Sequence, residues 1–185
     1  MRTKQAPQIL DRISSRLSPW SSVTERKVLM PGKAHVESYH SLSQADYVSV
    51  VAITEDGRVP LVRQYRPALE QLTLELPGGL REPNETAEAC AIRELFEETG
   101  LEPIGASVML GNLAPDTGRL ENRLWGFAVT VKSDAPQGWS AEPGVELIMV
   151  ATAELKKWII DGRFDHAPHI ALLGLAGMHG FLESK

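Results

Sequence analysis

The sequence predicts an α/β fold, a layered sandwich around a mixed β-sheet, preceded by an N-terminal extension of strands. Three observations carry this reading. Residues 47–54 and 59–65 are β-branched runs separated by Glu55-Asp56-Gly57, and residues 72–79 alternate in the same way. One helical pattern follows, opened by Thr86 and closed by Gly100. Strand-like runs at 106–113, 123–131 and 146–150 come next, and then two helical stretches, 152–161 and 168–180. Strands on both sides of one helix, with more helices at the end, form layers about a single sheet.

Taken in order, residues 1–18 are polar and basic and read as a short helix through Ile9, Ile13 and Leu17, or as a loose segment. Residues 20–40 read as a hairpin-like unit turning at Pro31-Gly32. They hold too little apolar material for a core, so the expected division is an N-terminal extension, 1–45, and a main domain, 46–185. Within the main domain, 59–65 is expected to return as the hairpin partner of 47–54. Residues 114–122, Ala-Pro-Asp-Thr-Gly-Arg-Leu-Glu-Asn, read as a loop. Residues 133–144, with Pro136, Gly138 and Pro143, form a second loop long enough to serve binding.

The chain has 185 residues, 43% of them hydrophobic and 23% charged, which is ordinary for a soluble domain. A net charge of −5 argues against nucleic acid or a membrane surface as partner, because bulk electrostatics would repel both. A single cysteine, Cys90, cannot form an internal disulfide, which fits a reducing cytoplasm. Its place among alanines reads as packing. No apolar stretch is long enough to span a bilayer, and no signal peptide is evident at the N-terminus.

The chemistry concentrates between Gly79 and Leu101. On the 86–99 helix Glu94, Glu97 and Glu98 stand at i, i+3 and i+4 and so share a side. Ile92, Leu95 and Phe96 are expected to face the sheet, with small Ala87, Cys90 and Ala91 keeping the acidic side open. Like charges at this spacing repel, and the one flanking arginine, Arg93, cannot neutralise all three. Such a cluster needs open solvent or a hard divalent cation, for which carboxylate oxygens are the preferred ligands.

Gly79, five residues, Glu85, seven residues, then Arg93-Glu94-Leu95-Phe96-Glu97-Glu98-Thr99-Gly100-Leu101 meets every fixed position of the Nudix box, and the chain resembles a Nudix hydrolase. The resemblance implies an α/β/α sandwich and hydrolysis of a nucleoside diphosphate linked to another moiety, with Mg²⁺ or Mn²⁺ as cofactor. It implies Glu94 and Glu98 as metal ligands, Glu97 as a further ligand or water orienter, and the Gly78 carbonyl as a backbone ligand. Arg93 reads as an orienter of the glutamates. Glu85 reads equally as a water-mediated metal contact or a favourable charge near the helix N-terminus.

Two further runs, Val62-Arg63-Gln64-Tyr65-Arg66 and Glu75-Leu76-Pro77-Gly78-Gly79, resemble the ADP-ribose pyrophosphatase branch of that family, in which alanine usually stands where this chain has Gly78. That similarity implies ADP-ribose, split to AMP and ribose 5-phosphate, with Arg66 on the phosphates and Trp20 stacked on adenine or serving an interface. Arg63 reads as an exposed strand charge. Carboxylates that ligate cations make poor proton acceptors, so the general base is sought among Glu121, Glu142 and Glu146. Glu146 best matches the branch's position for it, and Glu121 reads as a contact to substrate or metal-bound water. The branch also implies a homodimer built through N-terminal strands. The rival readings are a binding module that senses a nucleotide sugar without cleaving it, and a Nudix enzyme for another nucleoside diphosphate sugar or a triphosphate.

Overall fold

The computed structural model describes residues 6–182 and divides the chain into two compact units. The first takes in the chain through Ala45 together with Ala114–Arg123; the second holds Asp46–Leu113 and the chain from Leu124 onward.

In the first unit β1 (Gln8–Arg16), β2 (Ser21–Leu29) and β3 (Val36–Gln44) form an antiparallel sheet in that order. The expected short helix at the start is therefore a strand, with Met1–Gln5 outside the described residues. Its apolar side chains have helical spacing but no surface to pack on, since every residue of β1 is exposed. Without burial, β-branched Ile9 and Ile13 weaken a helix, and backbone pairing with β2 from Gln8↔Leu29 to Arg16↔Ser22 prevails. The expected hairpin is β2 and β3, paired from Ser21↔Gln44 to Leu29↔Val36 through the turn at Pro31-Gly32. Residues 114–123 belong to this unit: Leu42 donates to the Arg119 carbonyl, Glu121 donates back to the Leu42 carbonyl, and Asn122 reaches the Ala45 carbonyl.

In the second unit β4 (Tyr47–Thr54), β7 (Val108–Leu113) and β8 (Leu124–Val131) form a mixed sheet in the order β4-β8-β7, with β4 and β8 parallel. A second, antiparallel sheet has the order β6-β5-β9, from β5 (Arg58–Arg66), β6 (Gln71–Glu75) and β9 (Val145–Ala151). The chain does turn at Gly57, but β5 is not the hydrogen-bonded partner of β4. The two strands enter different sheets, and β4 pairs with β8, far along the chain. Its near-continuous apolar run already marks a strand buried on both faces, which a parallel pairing covered by helices requires.

Both faces are covered. Val48, Val50 and Ala52 of β4 and Phe127, Val129 and Val131 of β8 pack with Cys90, Ala91 and Leu95 of α1 (Ala87–Thr99). Val51, Leu124 and Ala128, on the opposite face, pack with Leu172, Leu173 and Ala176 of α3 (Ala167–Met178). The period-2 alternation of the two strands thus produces the α/β/α layering. Between them in sequence, α2 (Thr152–Ile160) buries Leu155 in the α3-side cluster. No helix among the described residues is long and apolar enough to cross a membrane.

Candidate active site

The helix α1 is held at both ends as its sequence requires. The Thr86 side chain accepts from the Ala89 N–H, and Gly100 takes the left-handed conformation (φ 68°) and donates to the Phe96 carbonyl. Its buried face is Cys90, Ala91, Leu95 and Thr99, whereas Phe96 is exposed and Ile92 only half-buried. The small residues expected to clear the acidic side in fact let the helix approach β4 and β8 closely. That rotation places the three box glutamates at different depths.

Glu97 is outermost and accepts from Arg93 Nη1 at 2.9 Å. Glu94 accepts from the same Nη1 at 2.9 Å, and its carboxylate lies against Gly79, where a Cβ would come within 2.3 Å of it. Glu98 is the most enclosed, its Oε2 accepting from the Gly78 N–H at 2.8 Å. Burial pushes Glu98 up to about 7 and Glu94 above the usual carboxylate range. Arg93 spends the rest of its fork on Glu85, with Nε at 2.9 Å and Nη2 at 3.1 Å. This pairing holds Glu85 at about 2 and ties the helix start to its third turn.

The segment after β6 runs beside β4. The Val50 N–H donates to the Pro77 carbonyl and the Val48 N–H to the Gly79 carbonyl, both at 2.9 Å. A Cβ at position 78 would lie 2.2 Å from the Val48 oxygen, which explains glycine where the resembled branch has alanine. Between these two bonds Gly78 directs its N–H to α1, onto Glu98.

Arg66 grips Glu75 in a fork, Nε to Oε1 at 2.7 Å and Nη2 to Oε2 at 2.6 Å, which leaves Nη1 for another acceptor. Burial opposes the ionisation of Glu75, but Arg66 and the Thr73 hydroxyl outweigh it and bring Glu75 down to about 2. The charge of Arg66 also acts on Glu98, so this pair borders the box carboxylates. Sequence reasoning missed Glu75 as a partner, although its place in the Glu75–Gly79 run was the available signal.

The remaining candidates are placed separately. Glu146 stands on β9 opposite Arg63 on β5, ion-paired and exposed, with Arg63 Nε at 2.9 Å. Glu142 is exposed in the loop whose Trp139 covers Gly100. Glu121 and Trp20 lie in the first unit. There the Ser41 hydroxyl and the Arg26 guanidinium hold Glu121 below the usual range, and Trp20 is exposed at the tip between β1 and β2.

Among the described residues no three His, Cys, Asp or Glu side chains converge as a metal cage. The donor pair that adjoins is two enclosed carboxylates, Glu98 on the Gly78 N–H and Glu94 against Gly79. Two adjoining carboxylates that burial makes hard to ionise are what a divalent cation relieves, and Mg²⁺ is commonly held by one or two carboxylates plus substrate phosphates. The residues fit such an ion.

Residues 44–172 match the NUDIX domain family. The chain is similar to an ADP-ribose pyrophosphatase of Bacillus subtilis, 45% identical over 53 residues, 29% of each protein. It is similar over more of its length to an ADP-ribose pyrophosphatase of Mycobacterium tuberculosis, 26% identical over 165 residues, 86% of this chain and 78% of that one. The first curated relatives it matches are longer than the match: the chain spans between 29% and 56% of their length. A crystal structure of an ADP compounds hydrolase superposes with a TM-score of 0.78 over 98% of this chain and 100% of that one, at 20% identity, a shared fold.

Proposed function

The chain belongs to the NUDIX domain family, and from that premise we propose that it hydrolyses the diphosphate bond of ADP-ribose or a close nucleoside diphosphate sugar. The observation that carries the reading is the juxtaposition of Glu94, Glu98 and the Gly78 backbone with the free edge of the Arg66 fork. The names of the Bacillus and Mycobacterium relatives support the substrate class.

Glu94, Glu98 and the Gly78 carbonyl would hold Mg²⁺ or Mn²⁺, with Glu97 as a further ligand or water orienter. When bound, the ion neutralises diphosphate charge and lowers the pKa of a coordinated water. Arg66 Nη1 grips a phosphate oxygen, while Glu75 holds the guanidinium in place. A water oxygen forms a bond to one phosphorus, the bridging P–O bond breaks, and the bridging oxygen leaves with the other phosphate. Glu146 takes the water proton after leaving Arg63; Glu121 and Glu142 are the other candidates for this role. The products are AMP and ribose 5-phosphate. Arg93 orients Glu94 and Glu97, Trp20 stacks on the base or serves an interface, and Glu121 contacts the substrate or a metal-bound water.

The protein acts as a cytoplasmic homodimer through its N-terminal sheet. Support comes from β1, exposed along its whole length and carrying exposed Ile9, Leu10 and Ile13. Sedimentation at micromolar concentration gives a dimer, and a monomer refutes this part of the reading.

The decisive experiment is turnover of a nucleotide panel with Mg²⁺ in heavy-oxygen water. ADP-ribose is cleaved fastest, and label enters a single phosphate product in one turnover. Triphosphates cleaved far faster than ADP-ribose reject the substrate class, and label in neither product rejects direct attack by water.

A further inference from the structure

The second unit contains a histidine that the proposed chemistry does not use. His169, in the first turn of α3, is buried, with the rings of His166 at 3.8 Å and Phe164 at 6.5 Å from its own. Its Nδ1 accepts a hydrogen bond from the Leu76 N–H at 3.0 Å. An accepting Nδ1 places the ring proton on Nε2, and burial keeps the ring neutral, its pKa near 3.

Leu76 is two residues before Gly78, in the short segment after β6 that is bonded to β4 through the Pro77 and Gly79 carbonyls. Two N–H groups of this segment bond to helices, Leu76 to His169 of α3 and Gly78 to Glu98 of α1. The Gly78 carbonyl belongs to the same segment. Its direction therefore depends on a segment held to β4 by two carbonyls and to the helices by one imidazole and one carboxylate. Gly78 has no side chain, and its φ and ψ are free unless neighbouring bonds restrain them.

We propose that His169 is a positioning residue for the metal site, acting through Leu76 to hold the Gly78 carbonyl where Glu94 and Glu98 can share a cation with it. The inference rests on the reading of Gly78, Glu94 and Glu98 as the metal-binding set. His169 stands to a backbone ligand as outer hydrogen-bond partners stand to side-chain ligands, whose loss costs ~10–100-fold in metal affinity.

The test is Mn²⁺ binding to the substrate-free protein, followed by electron paramagnetic resonance. Wild-type protein must first bind Mn²⁺ and lose that binding in Glu98→Gln; if it does not, the metal-site reading fails and the histidine is not the cause. Given wild-type binding, His169→Leu weakens Mn²⁺ affinity about tenfold. His169→Asn, which keeps an acceptor near the Nδ1 position, restores it to within about threefold of wild type. Leu173→Ala, a core change in the same helix, lowers the melting temperature without moving Mn²⁺ affinity. Wild-type affinity in His169→Leu, or no rescue by asparagine, overturns the proposal. A measurement on wild-type protein serves if the leucine variant does not fold. The His169 Nδ1 nitrogen shift changes on Mg²⁺ saturation if the strand end couples ring and site, and an unchanged shift overturns the proposal.

Discussion

Two sides of α1 use the same residue types to opposite ends. On the outer side Arg93 binds Glu85, Glu94 and Glu97 through one guanidinium, and Glu85 is held strongly ionised. On the inner side Glu98 is enclosed, bonded to a backbone N–H, and pushed toward neutrality by burial. Glu97 and Glu98 are consecutive, yet one is half exposed and charge-paired while the other lacks an arginine partner of its own. Depth, rather than residue type, separates a scaffold from a site that a cation can use. Glu94 stands between the two, paired to Arg93 on one side yet enclosed against Gly79 on the other, so burial raises its pKa as it does that of Glu98.

The largest effect comes from the buried face on which both sides depend. Leu95→Ala opens a cavity between α1 and the β4–β8 pair and lowers stability by about 3 kcal/mol in urea unfolding. Glu98→Gln tests the inner side alone. It keeps size and removes the charge, so kcat with saturating Mg²⁺ falls at least ~10²-fold, about 2.7 kcal/mol of barrier. The melting temperature without added metal holds or rises, because an enclosed charge is gone. Near-wild-type turnover in Glu98→Gln would erase the distinction between the two sides.

Arg93→Lys tests the outer side. A lysine keeps the charge but not the fork, so the bond to Glu85 is lost and the melting temperature falls, by less than in Leu95→Ala. Glu97→Gln should be milder than its neighbour's substitution, lowering kcat about tenfold, or 1.4 kcal/mol, since water can replace an exposed ligand. A loss as deep as that of Glu98→Gln would make the two carboxylates equivalent.

The last effect is read in its pH dependence and concerns Glu75, which borders the inner side. Its pKa is about 2 in the fold against an ordinary 4.5, so the unfolded chain binds its proton first on acidification. Its contribution is present above pH 4.5 and is lost as pH falls through about 2. Urea midpoints from pH 6 to 2 show a shallower decline in Glu75→Gln than in wild type, and parallel curves would contradict the pairing with Arg66.

Much of this was legible along the chain. Thr86 and Gly100 bound α1 by their own side-chain and backbone chemistry, which is local. The apolar runs of β4 and β8 were legible as strands, while the cover on both faces came from packing. The expectation failed where local pattern had no tertiary surface to act on, as in β1. It failed again where a turn suggested pairing that a distant strand took, as with β4 and β5. The buried face of α1 was also misread, because Ile92 and Phe96 are more apolar than Cys90 and Ala91 but too large for the close approach to the sheet.

By itself the sequence determined the box, its helix, the strands that layer the second unit, and the carboxylates and arginine on which the proposal rests. These follow from spacing and residue chemistry within one element. Only the tertiary structure decided which glutamate is enclosed, that Glu75 holds Arg66, that Gly78 is obligatory against Val48, and that His169 closes the strand end beside it. Each depends on contacts between elements far apart in sequence. Burial and hydrogen-bond geometry, which set those contacts, exist only once the sheet and helices have packed.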